Sequence, residues 1–195
     1  MTVDIRLARP EDAAGIVKIY APYCLSSHVS FEIVAPDEGE MRMRVDHIMN
    51  QYPWLVAESD GEVAGYVYAS QHRARSAYRW GVDVAVYIAE AHRRRGLGRA
   101  LYTGLFAILR EQGFFKAYAG ITLPNAGSVG LHEALGFQSI AVFRKAGYKL
   151  GRWLDVGWWQ LDLQQEFDNP PEPRLFRTIR ESESVAAALA EGARL

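Results

Sequence analysis

The stretch AEAHRRRGLGRALY, Ala89 to Tyr102, decides how this chain is to be read. Arg93, Arg94 and Arg95 run into Gly96-Leu97-Gly98, and from Leu97 onward apolar residues recur at helical spacing through Leu101, Leu105 and Ile108. That periodicity predicts a helix opening on the glycines. Immediately upstream, VDVAVYI (82–88) is rich in β-branched and aromatic residues and predicts a strand. A strand, a short glycine loop and a helix start form an arrangement in which unpaired N–H groups and the helix dipole converge on an anion. Glycine lets such a ligand approach the backbone closely. A Walker loop would end in Gly-Lys-Ser/Thr, where this chain has Gly98-Arg99-Ala100, and a dinucleotide fingerprint would need a small residue in place of Leu101. A solvated basic loop is the alternative for the loop taken alone.

Working outward, element types alternate. DIRLA (4–8) reads as a strand and PEDAAGIVKIY (10–20) as a helix with Pro10 in its first turn. Met41, Val45, Ile48 and Met49 mark a second helix before Pro53. WLVAE and EVAGYVYAS flank Asp60-Gly61, a two-residue hairpin signal. Beyond the Leu97–Ile108 helix, KAYAGIT (116–122) is another strand, which implies a parallel crossover from VDVAVYI. SVGLHEAL is a short helix stopped by Gly136, followed by the strands FQSIAVF and DVGWWQLDL. The body of the domain, residues 1–163, is expected to end near Leu163. QQEFDNPPEPR reads as a linker, and SESVAAALAEGARL as at most a weak Ala-rich helix, in a C-terminal extension of 164–195.

Composition sets the outer limits. A chain of 195 residues, 49% hydrophobic and 23% charged, is long enough for one domain with a sizeable core. With a formal net charge of −1, no global field argues for nucleic acid or an anionic membrane as partner. The N-terminal MTVDIRLARP has no signal-peptide core and no run is apolar enough to span a bilayer, so a cytoplasmic location is expected. Cys24 is the one cysteine, which permits no internal disulfide, and the five histidines show no metal-ligand spacing, so no metal is expected.

Two motifs carry a family resemblance. Arg93 to Gly98 resembles the R/Q-x-x-G-x-G/A pyrophosphate loop of the GNAT superfamily of N-acetyltransferases. LPNAGSVGLHEALGF (123–137) resembles its second signature, in which an Asn, a small residue three positions on and a closing Gly-Phe shape the other wall of a coenzyme A groove. More narrowly, YPWLVAE, LPNAGSVGLHEALGF and GYKLGRWLDVGWWQLDL are similar to the phosphinothricin N-acetyltransferase family, over roughly residues 3 to 163. The resemblance implies an α/β fold with a twisted mixed sheet of about seven strands flanked by helices. It also implies acetyl-CoA as cosubstrate in the cleft where the central strands splay, a small amino-acid-like amine as acceptor, and a homodimer. Val86, Tyr87, Ile88, Arg93, Arg94, Arg95, Gly96, Leu97, Gly98, Arg99, Asn125 and Ser128 are then the expected cofactor-binding residues.

The chemistry asks for little more. Acetyl-CoA is an activated thioester that an amine can attack directly, so Cys24 is not required as a nucleophile. Attack does require an uncharged amine, and therefore a base near it. Asp83 is the candidate: strand alternation sets it on the face opposite Val82, Val84 and Val86, although an acid paired with Arg79 or Arg75 at a strand edge is the other reading. The family usually carries Glu at this position, one methylene longer. His132 stands where related enzymes carry a proton donor to the departing thiolate, with a histidine packed on a helix face as its alternative. The resemblance places Phe31, Glu32, Arg73, Arg75 and Tyr78 around the acceptor, where a guanidinium fork suits a carboxylate or phosphinate. Trp153, Trp158 and Trp159 read as core or interface aromatics. Two other functions stay open: an acetyltransferase acting on a protein α-amine, and a non-catalytic acyl-CoA-binding module.

Overall fold

The structure is a computed structural model that describes residues 3–194. Strand β1 (Val3–Leu7) leads through a 3-10 turn at Pro10–Asp12 into α1 (Ala13–Leu25), which runs past the expected Tyr20 with Pro22 inside it. Helix α2 (Glu38–Met49) follows, its N-terminus capped by the Asp37 carboxylate accepting from the Glu40 amide. Strands β2 (Trp54–Ser59) and β3 (Glu62–Gln71) meet at Asp60-Gly61, where φ is 53° and 81°, the pair of positive values that a tight hairpin turn needs. Next come β4 (Gly81–Ile88), α3 (Leu97–Gln112), β5 (Lys116–Leu123) and α4 (Ala126–Ala134). The hairpin β6 (Gln138–Lys149) and β7 (Arg152–Asp162) precedes the short α5 (Phe176–Ile179) and α6 (Glu183–Gly192).

The seven strands form one sheet in the order β1-β2-β3-β4-β5-β7-β6. Neighbours are antiparallel except β4 and β5, which α3 connects as a parallel crossover. One face buries Val82, Val84, Leu101, Leu105 and Ile108 under α3, and the other buries Ile16, Val45, Trp54 and Tyr66 under α1 and α2. The expected alternation in β4 is therefore met on both faces.

The segment after Leu163 is irregular over 164–175 and helical at its Ala-rich run, and it packs against the body. Phe176 is fully buried, and Ile179, Val185 and Ala188 join the core under α3. Gln112, itself buried in α3, donates from Nε2 to the carbonyls of Gln51 and Arg174, at 2.9 and 2.7 Å. The Trp80 indole donates to the Pro171 carbonyl at 2.9 Å, and Arg79 pairs with Glu172. Proline and polar residues keep 164–175 out of regular structure, yet main-chain hydrogen bonds fasten that stretch to the body.

Candidate active site

The register of the central pair creates the site. β4 and β5 are each eight residues long but pair at only three positions, Gly81–Lys116, Val82–Ala117 and Asp83–Tyr118. Past Asp83 the strands part, so the β5-facing edge of residues 84–88 has no strand partner. The opening is a groove of about 1030 Å³ lined by Val86, Tyr87 and Ile88 of β4, by the loop through Arg93, Arg94, Gly96, Leu97, Gly98 and Arg99, and by Asn125, Ser128 and Leu131 of the α4 region. This volume is at the upper end of the roughly 300–1,000 Å³ typical of ligand sites. Of the residues expected to hold a cofactor, Arg95 alone is not among those lining the groove.

At one end of the groove the loop is set up for an anion. Gly96 has φ 84° and no side chain caps α3, leaving the first amides of a 16-residue helix without an intrahelical acceptor. Arg93 is anchored: its guanidinium lies 5.6 Å from the Tyr23 ring centroid and donates to the Tyr23 hydroxyl at 3.0 Å. On the facing wall, the Asn125 side-chain Oδ1 accepts from the Ser128 amide at 3.1 Å, which caps α4.

Where the strands divide, Asp83 is not paired with Arg75 or Arg79. Its Oδ1 lies 2.6 Å from Nδ1 of His72, a residue for which the sequence reading had no role. Burial lifts the Asp83 carboxyl above its ordinary range, against the opposing pull of His72 and Arg73. The His72 ring stacks on Tyr118 at 4.1 Å and meets Tyr78 and Trp158 edge-on at 6.0 and 6.1 Å. The Arg73 guanidinium covers the Trp158 ring at 5.6 Å.

Residues 5–158 match the family model described as an acetyltransferase (GNAT) domain. The chain belongs to the GNAT acetyltransferase family. It is an acetyl-CoA-dependent N-acetyltransferase. It is 44% identical over 171 residues to the phosphinothricin N-acetyltransferase of Streptomyces viridochromogenes, covering 88% of this chain and 92% of that one. It is 35% identical to the L-methionine sulfoximine/L-methionine sulfone acetyltransferase of Salmonella typhimurium, with 83% and 95% covered. Among solved structures, a phosphinothricin acetyltransferase from Sinorhizobium meliloti in complex with acetyl-CoA superposes with TM-score 0.82 at 34% identity, covering 91% of this chain and all of that one. A Salmonella typhimurium acetyltransferase with acetyl-CoA gives the same TM-score at 33% identity, covering 86% and 97%.

Other expected site residues of this acetyltransferase fall in unequal places. His132 is not brought to the groove or to Asp83. It is 3% exposed, its Nδ1–H donates to the Ser128 carbonyl at 2.8 Å, and its Nε2 accepts from the Tyr102 hydroxyl at 2.9 Å. Both nitrogens are used, and burial pushes its pKa down despite the Ser128 bond, so the ring is a neutral brace between α3 and α4. Arg73, Arg75 and Tyr78 line a separate depression of about 250 Å³ with residues 172–175 of the extension. The Glu32 carboxylate takes two bonds from Arg44, at 2.8 and 3.0 Å, and one from the Tyr20 hydroxyl; despite burial, these hold it below the usual carboxylate range. Phe31 closes over β6, where a Cβ on Gly147 would fall 2.2 Å from its ring. Lys149 ties the same loop down through the carbonyls of Tyr23 and Ser30, at 2.9 and 2.6 Å. Gly98 answers to packing as well as ligand approach, since a Cβ there would stand 2.8 Å from Leu131 Cδ2.

Proposed function

We propose that this enzyme transfers the acetyl group of acetyl-CoA to the α-amine of phosphinothricin, methionine sulfoximine or a close amino-acid analogue, by direct attack within a ternary complex. The observation that carries this reading is the division of β4 from β5 at Asp83, which leaves one carboxylate on the last paired rung, with the β4 edge beyond it lining a long groove. In it, the loop at Arg93–Arg99 and the first amides of α3 take the pyrophosphate, and the unpaired edge of β4 with Asn125 and Ser128 takes the rest of the cosubstrate. The acceptor lies beside Asp83 with Arg73, Arg75 and Tyr78 on one side and the Phe31–Glu32 loop on the other. Arg75 supplies a guanidinium for its carboxylate. Asp83, raised by burial, serves as the base that leaves the amine uncharged. The substrates named for the relatives support this choice of acceptor.

The same proposal includes a homodimer. Ile140, Val142, Phe143, Tyr148 and Trp153 on the β6–β7 hairpin are large apolar side chains exposed to solvent, which supports a partner there. Thiol release from acetyl-CoA across phosphinothricin, methionine sulfoximine, methionine sulfone, common amino acids and a peptide with a free N-terminus tests the activity. Turnover confined to the first three supports it; preference for the peptide, or release with none, refutes it. Sedimentation at micromolar protein tests the dimer, and a monomer overturns that part.

A further inference from the structure

The base assigned above is a lone carboxylate, but the structure does not leave Asp83 alone. A carboxylate can only accept hydrogen bonds, so at 2.6 Å the proton of the contact sits on His72 Nδ1. In the neutral imidazole that contact leaves the lone pair on Nε2, the basic position of the ring. The ring is positioned from all sides. Tyr118 lies flat against it, Tyr78 and Trp158 meet it edge-on, and Asp83 holds its polar end. β3 and β4 run Ser70 against Asp83 and Gln71 against Val82, which brings His72, the next residue, to the neighbourhood of Asp83. A Cβ on Gly81 would come 2.9 Å from the Tyr118 ring, so glycine there is what lets tyrosine and histidine stack.

We infer that the base at this site is the His72–Asp83 pair and not the carboxylate acting alone: His72 Nε2 takes the proton from the acceptor's ammonium, directly or through one water, while Asp83 holds the ring and balances the charge it gains. The inference rests on the acetyltransferase reading of the site. The ammonium gives one proton to Nε2 and becomes an amine. Its lone pair forms the C–N bond at the thioester carbonyl, and the C–S bond breaks with its electron pair leaving on sulfur. The second nitrogen proton neutralises the thiolate, and the imidazolium returns its proton to water. The arrangement is that of a half-buried acid orienting a ring and stabilising the charge it gains. Other ionisable groups facing the ring or its partner are Arg73 from the adjoining loop, Tyr78, Tyr118 from β5, and Tyr68 from β3. Arg73 is the cation among them and opposes uptake of a proton. Burial holds Tyr68 and Tyr118 above the ordinary phenol range, so they stay neutral at the pH of assay.

His72→Phe keeps an aromatic ring to stack on Tyr118 and removes both nitrogens; His72→Ala leaves a space an added imidazole can enter. The first is expected to lower kcat with phosphinothricin or methionine sulfoximine by about 10²- to 10⁴-fold at neutral pH, with the Kd for acetyl-CoA within twofold of the parent. Activity of the second is expected to rise with added imidazole in the tens of millimolar, and to follow the fraction of unprotonated imidazole as pH changes. Parental activity in His72→Phe overturns the inference. So does loss of activity in both variants without imidazole rescue, which assigns the ring to structure. Failure of the underlying reading looks different, because the unsubstituted enzyme then releases no thiol with either acceptor.

Discussion

Gly98→Ala tests whether a glycine in the signature loop serves the ligand or the fold. The new Cβ would stand 2.8 Å from Leu131 Cδ2, while carbon atoms prefer about 3.5–4.0 Å, so the leucine tip must withdraw by roughly 0.7–1.2 Å. Overpacking of this kind costs about 1–3 kcal/mol. Alanine gives back up to about 1 kcal/mol as the better helix former, so a net loss of roughly 0–2 kcal/mol is expected. Leu131 is half-buried, so Leu131→Ala alone should cost about 1–2 kcal/mol, below the range for a fully buried leucine. In the double variant the clash is gone, and the two losses should fall short of additivity by about 1–2 kcal/mol. Urea unfolding of the four proteins measures that coupling, and calorimetry with acetyl-CoA measures binding in the same set. Additive losses within about 0.5 kcal/mol would refute the packing argument. A tenfold loss of acetyl-CoA affinity that persists when Leu131 is trimmed would show that close ligand approach alone demands the glycine.

Three other outcomes follow from the same geometry. Asp83→Asn should lower kcat/KM at neutral pH by about 10²–10⁴, with partial recovery at alkaline pH as free amine becomes abundant; an unchanged pH–rate profile refutes a role for the carboxylate. Phe176→Ala should destabilise the protein by about 3–5 kcal/mol in urea, since its fully buried ring joins the extension to the core; a change below 1 kcal/mol would detach the extension from the fold. Burial pulls the Asp12 carboxyl up, but the Arg6 guanidinium and the Arg9 amide outweigh it and hold the pKa down. Its folded pKa is thus below its unfolded one, so the stability it supplies is complete above about pH 4 and fades as pH falls further. Asp12→Asn should flatten that part of the acid-unfolding curve, and an unaltered curve would count against the linkage.

What could be read from the sequence was what local chemistry dictates. Asp60-Gly61 encodes its hairpin because both residues tolerate positive φ, and Leu97 to Ile108 encodes α3 because the period fits no strand. The crossover and the position of Asp83 on its own face of β4 came from the same rules. What escaped depends on side chains meeting across the fold. His72 lies one residue past the end of β3, in a stretch conspicuous for its arginines, and the pairing register of the hairpin was the one signal that could have aligned it near Asp83. His132 carries no mark in sequence of whether its nitrogens meet substrate or, as found, Ser128 and Tyr102. The 164–175 stretch has a linker's composition because it is held through its main chain, by Gln112 and Trp80, and composition does not register such bonds.

The early parting of β4 and β5 also has a thermodynamic side. Three rungs join the two halves of the sheet, and the strand edge left open beyond them is a set of peptide groups awaiting company. Any molecule that fills the groove binds the folded chain and not the unfolded one, so occupancy translates into resistance to heat, about 2.7 kcal/mol when ligand stands at a hundred times its Kd. For this protein the melting temperature therefore rises with the occupancy of the groove, with no change in its covalent structure.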